Sequence, residues 1–293
     1  MKILATLLTK GNYYLKYFCW MTMKFNKLYP EHSIDVITLD EYLNSDQSQY
    51  NVLIYNTFAN DKHRYKFDRK LTSACDDKFK QFTGFKILFD NHDDGAKDGF
   101  ERLADCTIPR IKANPDYRVI EKFNVIMTIP FVAYPIYCEP QNERNCQILC
   151  SMRTEGMPPT RQAVKDRIKQ FNPLTDKLSP RLHAERLCRT LINIVPTGNG
   201  SSSRTHTDTL SAGALLLAEE GIENIKLLPN IDLIENEHFV TFNLDSITNK
   251  LETLLNDRKE IDRIRENGHR AFIEGYNMIN TSNQLFKYLY ANT

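Results

Sequence analysis

Short unbroken apolar runs alternate with stretches of helical spacing, and this constrains the chain more than any other feature. Ile3–Thr9 is one such run, closed by Lys10-Gly11, and Ile34–Leu39, Val52–Tyr55, Lys86–Phe89 and Phe123–Pro130 repeat the pattern. Strands that read as continuous runs are buried on both faces, as in parallel sheets. Between them, Tyr13–Leu28 carries Leu15, Phe18, Met21, Phe25 and Leu28 near helical spacing before Pro30 stops it, and Lys66–Phe82 is charged and helical in pattern. Parallel neighbours need a long crossover, usually a helix, so this order predicts an α/β fold with parallel sheets.

The pattern halts and then restarts. Tyr134–Arg144 (YPIYCEPQNER) has two prolines and a polar run, which reads as a connection. A strand at Cys146–Ser151, helices at Arg161–Phe171 and Arg181–Leu187, and a strand at Leu191–Val195 follow. The 293 residues are enough for two domains, at a typical size of about 150 residues each. We therefore expect Rossmann-like units at 1–143 and 144–293, the second carrying the terminal helices.

Charge and cysteine usage exclude several classes. A formal net charge of +1 argues against nucleic-acid binding through broad electrostatics and leaves only a local basic patch open. No segment reaches the ~18 uninterrupted apolar residues of a membrane span. The N-terminal run is broken by a lysine and a glycine without a cleavage site, so it reads as a strand and not as a signal sequence. Seven cysteines without paired CxxC spacing predict reduced thiols in a cytosol and no zinc site.

In the second half, Leu191–Leu217 reads as a buried strand, a loop of small residues, a short helix and another apolar strand. Gly198 and Gly200 permit close backbone approach, Asn199 lies between them, and Ser201, Ser202 and Ser203 can donate to an anion or cap the helix. A helix N-terminus favours negative charge. Arg204 and Asp208 are four apart and share a face. That pair suits a diphosphate and a ribose, or else is an ordinary surface ion pair. His206 lies off that face and is expected in solvent. The loop lacks the third glycine of a dinucleotide fingerprint and has no Walker Gly-Lys-Ser/Thr.

In the first half, Asp90, Asn91, His92, Asp93 and Asp94 follow a strand, where ligands of parallel sheets bind. Three readings stand: an acceptor-activating base, ligands for a hard cation, or a helix cap. Arg110, Lys112 and Arg118 are expected on a solvated face, with contact to an anionic ligand as the alternative.

At Pro196–Leu217 the sequence resembles the exostosin-type glycosyltransferases. The positions that carry the resemblance are Pro196, Gly198, Ser201 to Ser203, Arg204, Asp208 and Ala212-Gly213, and it extends more loosely over residues 146–275. Ala214-Leu215-Leu216-Leu217 departs from the Cys-Ile-Pro-Val that commonly follows in that family. The resemblance implies the GT-B fold, two Rossmann-like domains facing a cleft. It also implies donor contacts from Gly198 to Arg204 and Asp208. Retaining GT-B enzymes often carry two glutamates eight apart; Asp208 takes the second position and Gly200 the first, which favours inversion. The compact form is also similar to glycosyltransferases of large algal DNA viruses, which include a xylosyltransferase. The implied activity is transfer of a sugar, with xylose the first to try, from a UDP-sugar to a glycan hydroxyl in the cytoplasm, the host's if the protein is viral. Asp90, His92, Asp93 or Asp94 would be the base, and neither metal nor other cofactor is expected. The alternatives are a non-catalytic nucleotide- or glycan-binding protein of the same fold, or a metal-dependent enzyme.

Overall fold

The computed structural model describes residues 1–7, 16–56, 69–90, 103, 107–130, 140–176, 178–198 and 202–293. Its contacts divide the chain into two units, one of Met1–His92, Ala96–Ile129 and Asn277–Thr293, the other of Asp93–Gly95 and Pro130–Tyr276.

Among its described residues the first unit has six parallel strands: β1 (Lys2–Leu7), β2 (Ser33–Thr38), β3 (Val52–Tyr55), β4 (Phe85–Asp90), β5 (Arg110–Ala113) and β6 (Val125–Ile129). They lie in the order β2-β1-β3-β4-β5-β6. Helices α1 (Lys16–Leu28), α2 (Leu39–Asn44) and α3 (Arg69–Gln81) connect the early strands. Val52–Tyr55 is buried at every residue, as its unbroken apolar run requires. Leu4, Leu53, Tyr55 and Leu88 on one sheet face pack with Leu39, Cys75 and Phe79. At burial of ~25 cal/mol per Å², each such side chain favours folding by roughly 1.5–3 kcal/mol.

β5 was not among the expected strands, because its four residues read Arg-Ile-Lys-Ala. Arg110 and Lys112 are expected on a solvated face; they are instead 1% and 0% exposed. Arg110 donates to the carbonyls of Ile108 and Phe123, and Lys112 is paired with Asp90. Arg118 does lie largely in solvent, bonded to Asp116.

The second unit has four parallel strands among its described residues: β7 (Cys146–Leu149), β8 (Thr190–Val195), β9 (Leu215–Glu219) and β10 (Val240–Phe242). They lie in the order β10-β9-β8-β7. Helices α4 (Thr160–Ile168), α5 (Pro180–Leu187), α6 (Arg204–Ser211), α7 (Ile247–Asn256) and α8 (Arg258–Gly275) accompany them. Ile192, Ile194, Leu215, Leu217 and Phe242 form a core with Val164, Ile168, Leu251 and Ile264 from the helices. The last helix, α9 (Met278–Asn292), belongs to the first unit. There Tyr17 Oη and Thr281 Oγ1 lie 2.8 Å apart, and Tyr29 stacks on Phe286 with ring centroids 3.9 Å apart. Among the described residues, no helix is long and apolar enough to cross a membrane.

Candidate functional site: the loop between β8 and α6

β8 is buried along its whole length and delivers Pro196, Thr197 and Gly198 to the carboxyl end of the second sheet, where open parallel sheets bind ligands. Asn199, Gly200 and Ser201 lie outside the described residues. Ser202 and Ser203 lead into α6, with Ser203 at its N-cap.

The described part of the loop is held from two sides. The Thr197 N–H donates to Glu219 Oε2 at 2.7 Å, at the end of β9. The Thr197 carbonyl accepts from Arg161 Nε at 3.0 Å, in the first turn of α4. Arg161 Nη1 donates to the Arg153 carbonyl at 3.1 Å. A Cβ at position 198 would lie 2.7 Å from Arg161 Nη2, so any larger residue there displaces that guanidinium. From its sequence position Arg161 reads only as the first residue of a helix. Thirty-seven positions and a crossover separate it from Gly198, and only the tertiary fold joins them.

α6 is fixed in depth by buried polar contacts. Asn193 Nδ2 donates to Thr209 Oγ1 at 2.7 Å, and Thr209 Oγ1 donates to the Thr205 carbonyl at 2.6 Å. The helix ends in a left-handed glycine, Gly213 at φ 64°. Gly213 N–H donates to the Leu210 carbonyl and Ala214 N–H to the Thr209 carbonyl, closing a Schellman turn. The Ala212-Gly213 pair is thus a helix stop leading into β9.

Arg204 and Asp208 do share a face, and Arg204 Nε donates to Asp208 Oδ2 at 3.0 Å. This is not a surface pair, because the Asp208 side chain is 3% exposed. His206, expected in solvent, is buried. Its Nδ1 accepts the Ser203 N–H at 3.0 Å and so satisfies a helix-start donor. Burial lowers its pKa to about 4, so it is neutral at pH 7. The Ser-x-x-His spacing is the signal that marks it, with histidine where a capping box has Glu or Gln. His183 on α5 was also missed; burial, and then the charge of Arg204, lower its pKa to about 4.

The other expected site is at the end of β4. Asp90 is 1% exposed and accepts from Lys112 Nζ at 2.7 Å within the sheet. Asn56 Nδ2 ties the neighbouring strand end to the Phe89 carbonyl at 2.7 Å. Asn91, His92, Asp93 and Asp94 lie outside the described residues. Among the described residues, no group of three or more His, Cys, Asp or Glu is placed to hold a metal ion.

The architecture is that of the GT-B fold, two Rossmann-like α/β units in one chain, as solved glycosyltransferase structures have it. The chain is similar over 100% of its length to all of a sucrose-phosphate synthase from Thermosynechococcus elongatus, with TM-score 0.63 and 10% identity. It is similar over 99% of its length to all of Anabaena HepE in complex with UDP and glucose, with TM-score 0.61 and 9% identity. A glycosyltransferase from Rickettsia africae matches with TM-score 0.62 and 10% identity, over 100% of this chain and 99% of that one. At such identities the likeness is one of fold. No protein-family model and no curated protein matches the sequence.

Proposed function

We propose that the protein is a glycosyltransferase that moves a sugar from a UDP-sugar to an acceptor hydroxyl. The observation that carries this reading is the loop after β8, where Gly198 lies against Arg161 and runs on to Arg204 at the start of α6. Two guanidiniums and a helix N-terminus at one strand end suit a diphosphate. HepE, of the same fold, has been solved with UDP and with UDP-glucose.

In this reading the loop from Gly198 to Ser203 cradles the diphosphate, and the arginines stabilise the charge that grows on it as the bond to the sugar breaks. Asp208, buried against Arg204, orients that guanidinium, a role we assign in place of ribose binding. The acceptor oxygen attacks the anomeric carbon with inversion, UDP departs, and the hydroxyl proton passes to His92, Asp93 or Asp94. Asp90 is engaged by Lys112 and anchors the strand from which those residues follow. Inversion, an exostosin-like lineage, xylose as the donor sugar, a glycan acceptor and independence from metal enter the proposal from the resemblance at Pro196–Leu217.

The test is thermal unfolding of the full chain with UDP, GDP and their sugars, followed by transfer assays with and without EDTA. A ligand that binds only the folded state raises its apparent stability. UDP and one UDP-sugar should stabilise the protein, and transfer should persist in EDTA. Absence of any effect of UDP would overturn the reading, and UDP binding without transfer to any acceptor would leave a binding protein of the same fold.

A further inference from the structure

Thr197 is held in a way that points past the loop to the strand beside it. Its N–H, in the peptide it shares with Pro196, donates to Glu219 Oε2 at 2.7 Å. Its carbonyl, in the peptide it shares with Gly198, accepts from Arg161 Nε at 3.0 Å. Both peptide planes around one Cα are therefore fixed, and proline fixes φ at the residue before. Gly198 follows directly, and a Cβ there would meet Arg161 Nη2 at 2.7 Å.

A carboxylate this close to an anion site disfavours the anion by ordinary Coulomb repulsion. Its presence is explained by geometry instead of charge. We propose that Glu219 is the positioning residue of the diphosphate subsite: joined to Arg161 through Thr197, it fixes the strand end at Thr197 and the direction of the Arg161 guanidinium, without touching the ligand. This inference rests on the reading of the loop as the donor site.

It is tested with the full chain and three variants, Glu219→Gln, Glu219→Asp and Glu219→Ala, each titrated with UDP and with uridine. The glutamine amide oxygen reaches the Thr197 N–H without charge, whereas aspartate keeps the charge and loses the reach. If the role is reach, Glu219→Asp and Glu219→Ala weaken UDP by about tenfold, the scale of one charge-assisted hydrogen bond. Uridine, which has no phosphate, changes by less than about twofold in both, since a displaced phosphate loop does not alter base and ribose contacts. Glu219→Gln keeps UDP affinity within about threefold of the parent, because its acceptor is retained. UDP affinity unchanged in Glu219→Ala overturns the proposal, and so does equal loss of UDP and uridine, which marks a merely structural role. Should Glu219→Ala not fold, the comparison of aspartate with glutamine decides alone. An unmodified protein that binds no UDP removes the donor reading itself, an outcome distinct from a UDP-binding protein indifferent to Glu219.

Discussion

Arg204 and Asp208 stand one turn apart on α6, joined Nε to Oδ2 at 3.0 Å, and the arginine is the partner that reaches solvent, 24% exposed against 3%. The buried carboxylate fixes one edge of the guanidinium. Arg204→Ala is expected to lower turnover by about 10²- to 10³-fold, the scale of losing one preorganised charge-stabilising donor. Steady-state transfer with a UDP-sugar checks this, with the far-UV spectrum showing that the fold persists. Near-normal turnover would remove Arg204 from the site.

Gly198→Ala tests the contact with Arg161 directly. The new methyl would meet Nη2, the far end of a flexible side chain, so the guanidinium moves and the backbone stays. Stability should change by less than about 1 kcal/mol while UDP affinity falls by about as much as in Arg161→Ala, near tenfold. The double variant should be no weaker than Arg161→Ala alone. Additive losses in isothermal titration would separate the two residues.

Lys112 and Asp90 form a pair removed from water inside a parallel sheet. Lys112→Met leaves the carboxylate buried without its cation and should cost about 3–5 kcal/mol. Lys112→Met with Asp90→Leu should recover most of that, since an apolar pair of similar volume carries no desolvation penalty. Urea midpoints at constant m-value give the comparison. Equal destabilisation of both variants would show that the pair is not what holds β4 to β5.

His206 makes stability depend on pH in a stated direction. Its folded pKa is about 4, below the value near 6.5 of an unfolded histidine. The unfolded chain therefore takes up the proton first as pH falls. The stabilising contribution is complete above about pH 6.5 and declines by about 1.4 kcal/mol per pH unit as pH falls toward 4. His183 acts in the same window and sense. Unfolding free energies between pH 7 and pH 5 should show a shallower slope in His206→Gln than in the parent protein. An unchanged slope would place the imidazole in solvent.

What could be read from the residues alone followed the burial of each segment. Val52–Tyr55, Leu191–Val195 and Leu215–Leu217 read as strands because both their faces are apolar, and strands they are. Arg110–Ala113 did not, because its charged side chains are satisfied by carbonyls and a carboxylate from other strands, which a local pattern does not contain. Terminal helices were expected with the second unit, but apolar side chains on a helix do not say which sheet it covers, and α9 belongs to the first. At the candidate site the sequence put Gly198 after a strand and Ser203 and Arg204 at a helix start, and there they lie. Arg161 and Glu219 were not legible as part of it, since each joins the loop only through a crossover.

The placement of α9 on α1 has a consequence for synthesis. During translation the six strands of the first unit emerge early, while the helix that covers Tyr17 and Phe25 follows only after all of Pro130–Tyr276. Until then the first unit lacks the contacts that α9 brings to α1. Those contacts span more than 250 positions, and long-range closure is slow. The first unit, whose strands are made first, thus depends for its completion on a helix made after the second unit.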